Sequence, residues 1–436
     1  MWTLDGDERL SSTIANLTLL DQAPDRERLE ARLSRATLAV DRLRQRVASS
    51  AVGLVPPRWE DDPDFDLSRH LRWETLGRRR SMRALLDRVM EIFAEPFDRT
   101  RPLWEFVVIE GLSDGRTAML QRIHHTLADG EGGLRISAQF TDVERDAPGP
   151  PDIIRLASVG HVSPLTDAAR FGMNRVAEGA RSAVKAITRP SELVAGGASL
   201  VSLTRSTLRQ ARISDHRLSP LWIDRSLERR LDVLELPLAD MKPAAVRLGG
   251  SVNDLFVTGA ASAAGAYHRE MGQPVEALRM SMPISTRSKG QTDGNHFSPS
   301  QTVVPTGDID EALRFEAIGE LIRSVRSEPA LGSTDSLARA ANLLPASLLR
   351  TVGVRLSGSV DFVTSNIRAA PFDVFLAGAR MEENYPIGPL AGTAFNLTAM
   401  SYRGSLWLGL VTDPAAITKP ELLLKCLKRS YRQLLN

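Results

Sequence analysis

The stretch Gln121-Arg122-Ile123-His124-His125-Thr126-Leu127-Ala128-Asp129-Gly130 decides how the chain is read. Thr117 to Ile123 alternates well enough for a half-buried strand. Beyond Gly130, the residues Leu134, Ser137, Ala138 and Phe140 recur at helical spacing. Two adjacent histidines therefore stand where a strand stops, and an Asp-Gly turn hands the chain to a helix. Strand side chains alternate faces, so His124 and His125 should point opposite ways. That geometry argues against both rings ligating one metal, and no third ligand stands nearby at metal spacing. A single imidazole in a pocket suits general-base work, because its ordinary pKa of ~6.5 lies near working pH. Asp129 is close enough to brace the turn by an ion pair or backbone hydrogen bonds, and Gly130 permits a close backbone approach. The plain alternative for a His-His pair is one core histidine beside a partly exposed neighbour.

The 436 residues exceed one ordinary core and predict two domains. Hydrophobic content of 42% and charged content of 25% describe a globular protein. A formal net charge of +2 gives no whole-molecule field for nucleic acid. Cys426 is the only cysteine, which excludes an intramolecular disulfide and a cysteine-rich metal site. The N-terminal residues lack the order of a secretory signal, and no window holds the ~18 apolar residues of a membrane span. The expectation is a cytoplasmic protein whose membrane contacts are peripheral.

In chain order, helices are predicted over Asp25 to Ala36 and Ser81 to Ala94, and strands over Phe65 to Leu76 and Glu105 to Glu110. Gly111-Leu112-Ser113-Asp114-Gly115 matches the nucleophile-elbow spacing, but it joins two strands, and Asp-Gly is a hairpin dipeptide. The Ala147-Pro148-Gly149-Pro150-Pro151 run marks a linker. Leu165 to Arg212 is a helical region with eight cations against three acids. It suits either a solvated crossover between domains or a helix on a lipid surface. The second half predicts a strand over Leu231 to Leu236 and a helix over Leu238 to Arg247. A long apolar helix, Leu255 to His268, follows a cap at Ser251 or Asn253. Asp254 favours that helix N-terminus. Leu278 to Met282 reads as a buried strand and Pro283 to Arg287 as a loop. A strand from Val360 to Thr364 ends at Ser365-Asn366. Phe395 to Ser401 and Leu406 to Thr412 form a closing hairpin.

These motifs, in this order, resemble the bacterial wax ester synthase/diacylglycerol acyltransferases, within the acyltransferases built like chloramphenicol acetyltransferase. The resemblance rests on Pro102-Leu103-Trp104, His124 through Gly130, Ser251-Val252-Asn253-Asp254 and Met282 through Arg287. Gly294-Asn295, Ser365-Asn366, Leu376 through Arg380, Tyr385 through Leu390 and Ser401 through Gly404 complete it. It covers nearly the whole chain. It implies an α/β fold: two chloramphenicol acetyltransferase-like domains with mixed sheets and a tunnel between them. The expected division is 1–146, a crossover at 147–217, and 218–436.

The resemblance also implies an O-acyltransferase that uses acyl-CoA as substrate, without a cofactor or metal, and a long-chain alcohol or diacylglycerol as acceptor. His125 would be the base, with His124, Asp129 and Gly130 shaping its turn. Asn253, Asp254, Ser365, Asn366 and Arg287 are candidates for substrate or oxyanion contacts, with Arg287 a partner for Asp129. Partners would include a membrane or lipid-droplet surface and no nucleic acid. Two segments depart from the family pattern. Leu10 to Asn16 stands where a Pro-Met-His-like segment is usual, and Ile367-Arg368-Ala369-Ala370-Pro371 replaces a Pro-Gly-Pro turn. A condensation-type enzyme using carrier-protein thioesters and a non-catalytic lipid-binding protein remain the alternatives.

Overall fold

The computed structural model describes residues 2, 10–48, 57–149, 217–285, 297–326 and 358–436. Their elements, in chain order, are β1 (Thr13–Leu20), α1 (Arg26–Ala39), β2 (Gln45–Ala48), β3 (Arg58–Asp61), β4 (Leu71–Thr75), α2 (Met82–Ala94), β5 (Trp104–Glu110), β6 (Thr117–His124) and α3 (Gly130–Ser137). The second half adds β7 (Arg230–Pro237), α4 (Leu238–Arg247), α5 (Val252–Glu270), β8 (Ala277–Ser285), β9 (Phe297–Pro305) and α6 (Glu311–Arg326). It closes with β10 (Phe362–Arg368), β11 (Phe375–Leu376), β12 (Ala379–Ile387), β13 (Phe395–Tyr402), β14 (Ser405–Thr412) and α7 (Pro420–Leu435).

Two six-stranded mixed sheets carry the fold. The first runs β11-β12-β1-β6-β5-β4 and the second β7-β14-β13-β10-β8-β9. Only β4–β5 is parallel in the first sheet, whereas β10 pairs in parallel with both β13 and β8 in the second. Sheet membership does not follow the chain. Residues 375–387 lie in the C-terminal half, yet β11 and β12 extend the first sheet through β12–β1 pairing. The sheets approach closely there: a Cβ on Gly409 of β14 would stand 2.0 Å from the Pro386 carbonyl of β12. Only glycine lets those two backbones meet.

Each sheet has its own apolar core. Leu17, Leu19, Val107 and Leu120 are fully buried in the first, and Leu255, Phe256, Leu278 and Phe362 in the second. Trp407 and Val411 of β14 join the first core, so the second sheet helps close it. Residues 254–268 of α5 are buried along every face, as expected of a helix apolar all round.

Local chemistry explains where the elements differ from expectation. Phe65 to Leu76 is not one strand. Asp66 caps a single 3-10 turn, Leu67–Arg69, by accepting from the Ser68 N–H and hydroxyl, and only Leu71–Thr75 is extended. Pro283 does not end β8, which pairs with β9 through Ser285. On the other side β10 reaches only Met280 and Ser281, so the missing proline N–H breaks no ladder there. Gly111 to Gly115 joins antiparallel β5 and β6, with Gly111 and Gly115 at φ 93° and 81°. It is a hairpin turn, not a nucleophile elbow.

Candidate functional site

β6 delivers both histidines. Its ladder with β1 pairs His124 with Thr13, and the His125 N–H continues it by donating to the Ser12 carbonyl at 2.8 Å. His124 shares the face that packs on α2, where Arg122 donates to the Ile92 and Glu95 carbonyls. It is 2% exposed. Its Nδ1 accepts from the Thr126 N–H at 3.2 Å and lies 2.8 Å from the Thr126 hydroxyl. Trp2 and Phe97 present ring edges to it at centroid distances of 6.4 and 6.5 Å. His124 is thus built into packing. His125, the first residue of the turn beyond β6, is half-buried. Burial lowers its pKa below the ordinary histidine value, against the opposing pull of the Asp129 charge and a hydrogen bond to its own main chain. The ring is therefore neutral near pH 7 and keeps a lone pair for a proton.

Asp129 braces the turn by capping, one of the two modes its position allowed. It is the N-cap of α3, accepting from the Gly132 N–H at 2.7 Å through its side chain and from the Gly133 N–H at 2.7 Å through its carbonyl. Gly130 opens α3 where that helix meets the second sheet. A Cβ there would stand 2.8 Å from Cδ1 of Ile367 in β10. The absent side chain lets the histidine turn sit against β10.

That contact orders the second-half candidates. Ser365 and Asn366 lie inside β10, not at a strand end. Asn366 Nδ2 donates to Asn253 Oδ1 at 3.2 Å, so Asn366 points toward α5. Ile367, one residue on, points the other way, toward Gly130, and Ser365 shares its face. Ser365, partly exposed, is therefore the member of the pair that looks toward the histidine turn. Asn253 is not the helix cap. Ser251 caps α5, and Asp254 completes a capping box by accepting from the Ser251 N–H and hydroxyl at 2.8 and 2.7 Å. Asp254 is an acceptor spent on that cap, which removes it from the oxyanion candidates. Among the described residues, no acceptor meets Nδ2 of Asn253. Arg287 and the region Leu165 to Arg212 lie outside the described residues.

A serine–histidine contact away from that turn was invisible in the sequence. Ser219 Oγ lies 2.8 Å from His268 Nε2, and His268 Nδ1 donates to the Ala264 carbonyl at 2.8 Å. Both residues are buried, and the serine oxygen also accepts from the Leu221 and Trp222 N–H groups. It is a turn cap held against α5, closed to substrate.

Residues 10–256 match the wax ester synthase/diacylglycerol acyltransferase catalytic domain, and residues 293–435 match the C-terminal domain of the same family. A putative diacylglycerol O-acyltransferase of Mycobacterium tuberculosis is 33% identical over 99% of this chain and 89% of its own length. A probable diacylglycerol O-acyltransferase of the same species is 28% identical, covering 94% of this chain and 88% of its own. Among solved structures, the wax ester synthase/diacylglycerol acyltransferase of Marinobacter aquaeolei superposes with a TM-score of 0.65 at 21% identity, covering 98% of this chain and 95% of that one. The first condensation domain of the calcium-dependent antibiotic synthetase gives 0.64 at 16%, covering 100% and 93%. At such identities both structures speak to the fold alone.

Proposed function

The chain belongs to the wax ester synthase/diacylglycerol acyltransferase family and is an acyl-CoA-dependent O-acyltransferase, and from that premise we propose that His125 is its general base. His125 takes the proton of an acceptor hydroxyl as that oxygen attacks the thioester carbonyl carbon. The new C–O bond leaves a negative tetrahedral oxygen, and its collapse breaks the C–S bond and returns the proton to the departing CoA thiol. The Ser365 hydroxyl is the donor for that oxygen, because it shares the Ile367 face while Asn366 and Asn253 hold each other on the opposite one. His124 and Asp129 position the turn. The route uses neither a covalent enzyme intermediate nor a cofactor. The observation that carries this reading is the half-buried ring of His125, its pKa drawn down by burial, on a turn seated against β10 through Gly130.

The acceptor is a long-chain alcohol or a diacylglycerol. Mixing purified protein with acyl-CoA and a series of alcohols, while following free thiol, tests this. Each added CH₂ buried is worth ~0.8 kcal/mol, so kcat/KM climbs with chain length until the chain-binding region is filled. A flat response, or transfer to amines from a carrier-protein thioester, would indicate condensation-type chemistry. Thiol release from none of them would leave a non-catalytic lipid binder.

Such acceptors live in lipid phases, and among the described residues no helix is long and apolar enough to cross a membrane. The basic region Leu165 to Arg212 supplies the contact in this reading, at ~1 kcal/mol for each cation near an anionic surface. Binding to anionic liposomes that weakens with salt, and again on changing Arg175, Arg181 and Lys185 to Gln, supports it; indifference to both makes the region a crossover only.

A further inference from the structure

The segment leading into β7 holds three arginines that, among the described residues, no carboxylate meets by a hydrogen bond; Arg229 lies over the Phe93 ring, and Arg217 and Arg225 reach main-chain carbonyls. Arg217 donates through Nη1 to the Ile223 carbonyl at 2.7 Å, and its buried Nε has no partner. Arg225 donates through Nε to the Gly392 carbonyl at 2.8 Å and through Nη1 to the Trp222 and Asp224 carbonyls at 2.8 and 2.7 Å. Its Nη2 is buried and also lacks a partner among the described residues. Both guanidiniums thus lean on the carbonyls of residues 222–224, and among the described residues each keeps an N–H without an acceptor. Three carboxylates, Asp361, Asp413 and Asp224, lie near enough to act on Arg225, and the first two are occupied. Asp361 accepts from the Ser219 and Arg279 N–H groups at 3.1 and 2.7 Å. Asp413 accepts from the Ser226 N–H and hydroxyl and from the Ala415 N–H.

Two like charges, partly buried and each short of an acceptor, cost free energy until an anion supplies the oxygens. Burial and then the Arg217 charge lower the Arg225 pKa to about 10, against the pull of the Asp413, Asp361 and Asp224 carboxylates, and burial lowers that of Arg217 against Asp361 and Asp413. A planar guanidinium fork matches the oxygens of a phosphate. The location also fits. Asp361, which anchors Ser219, immediately precedes β10, whereas Asn366 and Ile367 near its far end meet α5 and α3. Five strand residues at ~3.3 Å each separate these ends by about 16 Å, a distance of the order of an extended pantetheine arm.

We infer that Arg217 and Arg225 form a phosphate-binding site that takes the nucleotide phosphates of acyl-CoA, an assignment that rests on the acyl-CoA-dependent activity stated above. Calorimetric titration of the full chain with CoA, with pantetheine and with inorganic phosphate separates the possible sources of that phosphate. Wild type binds CoA more tightly than pantetheine, and inorganic phosphate competes with CoA. Arg217→Gln and Arg225→Gln each weaken CoA roughly 10- to 100-fold, as loss of a charge-assisted hydrogen bond should, and leave pantetheine unchanged. In turnover both raise KM for acyl-CoA with kcat preserved.

Folded variants with undiminished CoA affinity overturn the site while leaving the activity standing. A wild type that binds no CoA overturns the activity itself. Phosphate binding lost in the variants, with no preference for CoA over pantetheine, makes free phosphate the ligand and overturns the CoA assignment. If neither variant folds, failure of phosphate to compete with CoA on wild type overturns the site.

Discussion

Adjacent residues with different surroundings carry the chemistry differently. Ser365 and Asn366 are neighbours in sequence, and no spacing rule chooses between them; strand alternation does, once Asn366 is fixed to Asn253 and Ile367 to Gly130. Ser365→Ala should therefore lower kcat by ~100- to 1,000-fold, the cost of one oxyanion donor. Asn366→Ala should act mainly through stability, and steady-state kinetics beside thermal melts would show the split. Equal kinetic loss from both would place the oxyanion elsewhere. The histidines differ in the same way. His125 has its pKa lowered by burial, so the rising limb of kcat/KM against pH should bend below the ordinary ~6.5. Asp129 opposes that shift, so Asp129→Asn, which keeps a capping oxygen, should move the bend to still lower pH. A bend above 6.5 would contradict a desolvated base. A strand ending at the histidine pair was legible in the sequence because its signal is local. The Asn253–Asn366 bond was not, since it joins residues 113 apart.

At the scale of elements, α3 and β10 meet through a glycine and an isoleucine. Gly130→Ala forces Ile367 aside, an overpacking of typically ~1–3 kcal/mol, and displaces the turn that carries His125. Activity should drop more than stability, and Ile367→Val in the same chain should restore most of it. The double-mutant cycle tests that coupling, and additive losses would mean that the two residues act separately. Element type was largely readable: α1 and α2 begin within a residue of the expected starts, with Asp25 and Ser81 as their caps, and β13–β14 is the expected hairpin. The misses have side-chain causes. Asp66 pulled residues 67–69 out of a strand, and the β8–β9 ladder carried Pro283 past the turn its composition signalled. The residue before Asp254 was a plausible cap on composition, but the Ser251–Asp254 box won because it satisfies two orphan main-chain groups at once.

Across the whole molecule, two mixed sheets share one seam, and β12 crosses it to complete the first sheet. Periodicity could place a strand at residues 379–387 but could not name its partner, because pairing with β1 spans most of the chain. The same burial that closes the cores holds His70, His125 and His268 below the ordinary histidine pKa. Between that ordinary value and the lower folded one, the unfolded chain binds more protons, so stability should fall as pH drops below ~6.5 and level off above it. Melting temperatures across that range check the sign; stability that improves on acidification would contradict it. The central claim is that His125, presented at the end of β6, is the base of an acyl-CoA-dependent O-acyltransferase. Its most direct measurement is ester formation from labelled acyl-CoA and a long-chain alcohol, comparing wild type with a folded His125→Ala variant. The expected result is ester from wild type and a ~100- to 10,000-fold slower rate in the variant; ester formation undiminished in the variant would contradict the account.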